Sequence, residues 1–295
     1  QITPSMSIEA AYVGNVGRHI YVNANLNQAV PGPGDFNSRE RFYKLFGLSQ
    51  GIYSICNCDN SNYHALQMKW VEHQARGLDF IVAYSYSKAL DDTELGGVAD
   101  NNLNYKADYG PASFDRRHQR SISNVWILPF GHGQRFGANV NRLTDLVAGG
   151  WEFSGITTAT SGAPFTPNVS NAPLLNANFN SVRPDKIGDP QVANPNRTEW
   201  FNPAAFTAPQ GLYRDGDTGR NSLVGPRTFL MNLSLSKVFT IPEGKTIQFR
   251  WENYNALNHV NLNTPNNYID QSNAGQITSI AADMRQMQFG LHFRF

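Results

Sequence analysis

The segment Met287-Gln-Phe-Gly-Leu-His-Phe-Arg-Phe295 alternates without a break. Apolar side chains fall at Met287, Phe289, Leu291, Phe293 and Phe295, and Gln288, Gly290, His292 and Arg294 lie between them. Successive side chains of a strand point to opposite faces, so this segment makes a ribbon oily on one side and polar on the other. A soluble sandwich would bury the oily side against a second sheet. A transmembrane β-barrel would turn it to lipid, and would turn Gln288, His292 and Arg294 to a wet lumen.

The same alternation recurs upstream. It is visible from Met6 to Val13, from Tyr63 to His73, from Leu78 to Ser87, from Phe229 to Ser236 and from Ile247 to Glu252. A segment over Arg120–Leu128 is weaker, because Asn124 interrupts the face of Ile122, Trp126 and Leu128. Another opens at Trp151 and Phe153 and ends near Gly162-Ala-Pro164. A mean hydropathy of -0.43 and the lack of a long apolar run exclude a transmembrane helix. They do not exclude a barrel, whose alternating strands average out to polar.

The connections between these segments run long, short, long, middling, long, short, long. Short turns are expected at Gln74-Ala-Arg-Gly77 and Pro242-Glu-Gly-Lys245, and a short helix over Leu143–Val147 in the middling connection. Long connections run from about Lys88 to Arg117 and from about Pro164 to Pro226, the latter dense in Asn and Pro. An up-and-down meander places every second connection on the same side, so the long ones collect on one side and the short ones on the other. Outer-membrane barrels have that asymmetry; a sandwich has no reason to sort loops by length. The expected fold is therefore all-β, an antiparallel up-and-down transmembrane β-barrel. Small inward residues such as Ser85, Ser87, Ser234, Ser236 and Gly290 would leave an eight-stranded barrel poorly filled. The expectation is about eight C-terminal strands of a larger barrel, with the other strands preceding Gln1. Gln1-Ile-Thr-Pro-Ser lacks the basic start and apolar core of a signal peptide, so any targeting signal is expected upstream.

Several motifs together resemble Oar-like TonB-dependent outer-membrane receptors. Phe249-Arg-Trp-Glu-Asn-Tyr-Asn-Ala-Leu-Asn-His259 is similar to the F-R-x-E-x-x-N-x-x-N-H pattern of their penultimate strand. Asn62-Tyr-His-Ala-Leu-Gln67 with Tyr84-Ser-Tyr-Ser-Lys-Ala-Leu90 resembles another strand pair. Phe114-Asp-Arg-Arg-His118, Leu128-Pro-Phe-Gly131, Gly149-Gly-Trp151, Trp200-Phe-Asn-Pro-Ala-Ala-Phe206 and Gly219-Arg-Asn-Ser-Leu-Val-Gly-Pro226 complete the set in the family's order. The resemblance implies a wide barrel in the bacterial outer membrane of a Gram-negative cell, a plug inside it, and TonB-energised transport of a bulky ligand. Residues 1–295 would then be the C-terminal portion of the barrel domain, without the plug and the N-terminal domain. Expected partners are outer-membrane lipid, the plug and upstream strands of the full-length chain, the TonB complex through its N-terminal part, and the barrel assembly machinery. A structural or adhesive barrel that binds partners through its loops is the alternative. A net charge of +1 with no basic block gives no reason to expect nucleic acid.

The candidate site residues follow from the same pattern. Lys69, Arg250, Glu252, His292 and Arg294 alternate inward and are expected to line the lumen. Met287, Phe289, Leu291, Phe293 and Phe295 form the barrel-closing strand and its assembly signal. Trp70, Tyr84, Tyr86, Trp126, Trp151, Trp251 and Phe295 are read as aromatic girdles at the membrane interfaces. Asp115-Arg-Arg-His118 combines an acid, two guanidinium groups and an imidazole, but no nucleophile sits beside it, so salt bridges at a strand entrance are expected and no enzyme. Asp215, Asp217 and Asn221 place oxygen ligands like the start of a calcium loop, without its late bidentate Glu. A turn is the better reading there, and no cofactor or metal is expected. Cys56 and Cys58 are too few for a disulfide framework or a zinc site. An oxidising compartment would let them bridge each other in a tight closure, although a bland loop feature is the preferred reading.

Overall fold

The computed structural model describes residues 2–75, 77–93, 97–172, 174–177, 179 and 181–295. Eight long strands run in order: β1 Met6–Asn25, β2 Tyr53–Ala75, β3 Leu78–Asp91, β4 His118–Ile127, β5 Trp151–Thr160, β6 Thr228–Thr240, β7 Thr246–Tyr254 and β8 Gln286–Arg294. Each pairs antiparallel with its sequence neighbour, so the sheet is one up-and-down meander from β1 to β8. Among the described residues β1 pairs only with β2, and β8 only with β7.

Register shows that the alternation seen in each segment is one alternation shared by the whole sheet. Trp251 stands opposite Phe289 and Leu235, Phe249 opposite Leu291, and Trp126 opposite Leu78 and Phe153. On the other face Arg250 stands opposite Gly290 and Ser236, and Lys69 opposite Glu9 and Ala83. One face is an aromatic ladder: Trp251 stacks on Phe289 with centroids 6.2 Å apart, Trp151 meets Phe249 edge-on at 6.1 Å, and Trp70 meets Phe80 edge-on at 4.8 Å. Among the described residues most of that ladder is left open, and connection 128–150 reaches it only at Trp151 and Lys237. Phe289, Leu291 and Phe295 remain 67%, 74% and 97% exposed. A sandwich would have buried them, and the observed packing removes that fold.

Strand lengths divide the wall into two parts. A transmembrane strand needs about 9–11 residues. β4, β5, β7 and β8 have 10, 10, 9 and 9. β1 and β2 have 20 and 23, so their hairpin projects well beyond a bilayer. Both are longer than expected, as is β3, which runs on to Asp91 where a loop was anticipated from Lys88. These extensions read poorly because polar residues dominate once both faces meet water.

Connections 26–52, 92–117, 161–227 and 255–285 lie on one side of the sheet. Connections 76–77, 128–150 and 241–245 lie on the other, as the sorted loop lengths predict. Of the expected turn at 74–77, Arg76 lies outside the described residues. At the other short turn the Ile241 amide donates to the Lys245 carbonyl at 2.8 Å. A short helix α1, Arg41–Phe46, lies in the first long connection, and the expected short helix is present as α2, Arg142–Ala148, with the Asn141 side chain accepting from the Thr144 amide at its N-terminus.

The cysteines correct a sequence reading. Cys56 and Cys58 lie in β2, not in a loop, and are joined by a disulfide with a Cα–Cα distance of 5.4 Å. The β1–β2 register slips twice beside them, between Arg18 and Ile20 and between Ile20 and Val22, and His19 takes a φ of 55°. Residues two apart on a strand share a face, and a bulge kinks the strand locally. Together these bring the two Cα atoms within disulfide reach.

Candidate functional site

Two surfaces are candidate sites: the polar face of the sheet, called the inner face, and the loops on its long-connection side. Lys69, Arg250, Glu252, His292 and Arg294 all fall on the inner face, with Gln67, Gln119, Ser121, Ser154, Ser234 and Gln288. Arg250 pairs with Glu252 at 2.5 Å, a neighbouring inward position on the same strand. Asp79, Ser123, Ser154, Asn232 and Glu252 line one open trough that crosses β3 to β7. Met287, Phe289, Leu291, Phe293 and Phe295 occupy the outer face. The girdle residues also point outward, with Trp70, Trp126 and Trp151 near the short turns and Tyr84 and Tyr86 nearer the long loops.

Arg120 and Asn124 do sit on the outer face, opposite Tyr84 and Phe80. Arg120 lies on the long-loop side, level with two polar pairs, Tyr84–His118 at 2.8 Å and Tyr12–His64 at 2.6 Å. A long cationic side chain is tolerated where the wall meets water, because its head reaches the interface. No comparable account covers Asn124, which stands farther from that edge.

The long loops form a single fixed platform, held by arginine side chains. Arg39 donates to the Gly32 carbonyl at 2.5 Å and to the Asn176 carbonyl at 2.7 Å, tying the first long loop to the third. Arg183, 4% exposed, pairs with Asp108 and Asp215, each at 3.2 Å, and donates to the Ala107 carbonyl at 2.9 Å. Arg220 donates to the Asp108 and Asp91 carbonyls, both at 2.7 Å, and forms an ion pair with the Asp91 carboxylate. The Asp270 carboxylate accepts from the Ser170 and Asn171 amides, joining the fourth loop to the third. Under this layer Phe165, Phe201, Ala205 and Phe206 form an apolar core with Trp200, Leu223 and Ile269 packed against it.

Three of the motifs that looked distinctive in sequence fix the long loops. In Trp200–Phe206, Asn202 caps a short turn by accepting from the Ala204 amide, and Phe201 and Phe206 fill the core. In Gly219–Pro226, Arg220 is the clamp and Leu223–Val224 pairs with Pro164–Phe165. In Asn255–His259, both Asn255 and Asn258 take positive φ, 48° and 51°, which asparagine tolerates best among side-chain-bearing residues. Asn255 accepts from the His259 amide and donates to the His259 and Asp283 carbonyls. Asp115 is half of a strand-entrance contact: it accepts from the Ala89 amide at 2.8 Å and lies 3.7 Å from Arg117.

Asp215, Asp217 and Asn221 do not converge on a calcium position. Asp215 faces Arg183, Asp217 accepts from the Lys186 amide, and Asn221 bonds Thr166 and the Pro111 carbonyl. Among the described residues no group of three His, Cys, Asp or Glu is placed to hold a metal. The turn reading stands beside a contact that spacing alone cannot show, because the side chain that meets Asp215 comes from Arg183, 32 positions earlier in the same connection.

Burial sets the charge state of the platform. It pushes the Asp108 carboxyl up to about 6, with the Asn101 amide and Arg183 opposing it only in part. Burial also raises Asp215, whereas the hydrogen bonds from Arg214 hold Asp185 below the ordinary carboxylate value. Folded Asp108 thus binds its proton more tightly than the unfolded chain, whose value is 3.8. The stability it contributes is full below 3.8 and is lost as pH rises through about 6. The effect of Asp185 has the opposite sign and is lost only as pH falls below 3.8. After correction for intrinsic exchange, amides of residues 97–117 should be better protected at about pH 5 than at about pH 7, by roughly 1 kcal/mol. Asp108→Asn should remove most of that difference, and an unchanged difference would show that another group titrates.

A meander with an uncovered aromatic face, a polar opposite face and all long loops on one side is a membrane barrel wall. The family described as "Outer membrane beta barrel domain" matches residues 1–288, and the chain belongs to it. It is an integral part of the outer membrane. No curated relative matches the sequence. Among solved structures, the outer membrane transporter YddB from Escherichia coli is similar at 11% identity with a TM-score of 0.47. The likeness covers 99% of this chain and 30% of YddB.

Proposed function

We propose that this chain is wall and ligand-facing loops of a TonB-dependent outer-membrane transporter of the Oar-like type. The observation that carries the reading is the pairing of a polar inner face with a fixed loop platform on one side only. The motifs quoted above support it, since they resemble that family, and one of them supplies the Arg220 clamp of the platform. Among the described residues no strand pairs with the second edge of β1 or of β8 along the stretches that match a bilayer, and open backbone edges are costly in hydrocarbon, so further strands are called for. In the full-length protein a plug would fill the space faced by Lys69, Arg250, Glu252, His292 and Arg294. Passage would follow rearrangement of that plug, with no covalent chemistry by the wall.

The acid-lined cavity between the second and third long loops, bordered by Asp92, Asp100, Asp108 and Arg220, gives the platform a net negative recess. It suits a cationic or hydroxyl-rich group. A fixed loop surface also serves an adhesive barrel that conducts nothing, and this is the second reading. Photo-cross-linking of the full-length protein to TonB in cells separates the two. Cross-links that depend on an N-terminal segment are expected for a transporter; their consistent absence beside a positive control would favour adhesion.

A further inference from the structure

Connection 128–150 lies on the short-turn side, away from the ligand-facing loops. Its helix α2 shows an arrangement that a water-facing turn does not need. Leu143, Leu146 and Val147 follow the spacing i, i+3, i+4 and so form one stripe, and they are 77%, 52% and 72% exposed. The opposite side of the helix is the polar, docked side. Asp145 accepts there from the His132 amide at 2.6 Å.

The docking contacts come from the outer face of the wall. Lys237 follows Leu233 and Leu235 on the outward set of β6 and stands opposite Phe249 and Trp151. A lysine on a lipid-facing ladder is costly unless its charge is met. Here it is 5% exposed, and its ammonium group donates to the Leu146 carbonyl at 2.5 Å and to the Gly149 carbonyl. These are carbonyls at the C-terminal end of α2, which carry partial negative charge and have no partner within the helix. The ammonium also lies 5.0 Å from the Phe239 ring and 5.6 Å from the Trp151 ring. Trp151, another outward residue, donates from its indole nitrogen to the Val147 carbonyl at 2.8 Å.

We propose that α2 is an interfacial membrane anchor, clamped to the wall by Lys237, with Leu143, Leu146 and Val147 inserted into phospholipid of the leaflet on the short-turn side. The side chains that hold the helix, Lys237 and Trp151, belong to the lipid-facing ladder, so the helix sits where that ladder ends at the short-turn side. Phe130 and Phe136, 44% and 49% exposed in the same connection, extend the apolar area. Arg135 lies over the Phe136 ring at 5.4 Å, and Arg142 opens the helix. Apolar side chains bordered by arginines match a surface that is hydrocarbon below and phosphate above. A helix of 7 residues would bind a bilayer poorly alone. Attachment to an inserted wall removes that cost, since the helix is already held at the surface.

The test uses the full-length protein folded into vesicles of phosphatidylethanolamine and phosphatidylglycerol, with an environment-sensitive fluorophore on Leu146→Cys. Cys56 and Cys58 stay unlabelled because thiol reagents need a free thiol. Leu291→Cys serves as a wall control and Gln191→Cys as a loop control. Lipids brominated near the carbonyl end of the acyl chain should quench Leu146→Cys strongly and Gln191→Cys hardly at all. Emission at Leu146→Cys matching the loop control, while Leu291→Cys is quenched, would overturn the proposal. So would a blue-shifted probe that lipid bromine does not quench, since a protein partner would then cover the stripe. Lys237→Met suits the outer face and should leave the wall folded, yet quenching at Leu146→Cys should fall about twofold or more as the helix loosens. Unchanged quenching in K237M would overturn the clamp.

Discussion

Leu291→Arg should leave the full-length protein unable to fold into phospholipid bilayers. Leu291 is near the middle of β8, on the outer face, opposite Phe249 and 74% exposed to whatever surrounds the wall. A guanidinium at that depth costs about 2–4 kcal/mol. Folded proteins have a margin of only about 5–15 kcal/mol, so one such change removes a large share of it. The adjacent inward position is the internal control. A Cβ added at Gly290 would meet nothing closer than Arg250 Cβ at 3.9 Å, so Gly290→Ser should change stability by no more than roughly 0.5 kcal/mol. Urea titration of both variants in vesicles, followed by the heat-dependent gel mobility of the folded barrel, measures the contrast. Equal damage from the two would mean that the faces are assigned the wrong way round.

Arg183→Ala should release the loop platform while leaving the wall intact. Arg183 is nearly fully buried between Asp108 and Asp215, which are themselves shielded from water. Removing the guanidinium strands two carboxylates, and breaking a buried pair in this way costs about 3–5 kcal/mol. Arg183→Lys should rescue only in part, because one ammonium cannot reach two carboxylates and the Ala107 carbonyl with the geometry of a planar fork. The pair between Arg214 and Asp185 offers the comparison, since Arg214 is 44% exposed. Its loss should be milder, because the Asp185 carboxylate keeps the hydrogen bonds from the Gln210 and Asp217 amides. Limited proteolysis of each variant in vesicles reads the difference, with new cleavage expected in residues 97–117 and 181–217 for Arg183→Ala. Cleavage patterns that match the parent protein would show that the platform does not depend on this clamp.

The wall was legible in the sequence because a period of two is a local property. β7 and β8 lie within two residues of their expected limits, and in both the outward and inward sets agree with the parity of the sequence. Even Lys237 had its outward position written in the parity of Leu233 and Leu235, though nothing local announced the helix carbonyls that receive it. The extensions of β1 and β2 were harder, since both faces are wet there and the alternation fades. The disulfide depended on a bulge, which arises from a mismatch between two strands and has no signature in either alone. The platform was the least legible part. Arg39 and Asn176 are 137 positions apart, and Arg220 and Asp91 are 129 apart. Motif resemblance marked the residues that matter but gave no hint that they work by holding loops.

The arginine clamps have a consequence for how such a protein reaches its final state. Loops 92–117 and 161–227 must cross the oily layer before they can meet, and a closed network of paired guanidinium and carboxylate groups would be a poor traveller through it. The clamps of Arg183 and Arg220 are therefore expected to close only once the loops are in water, and to hold them there afterwards, because a paired polar layer is costly to return through hydrocarbon.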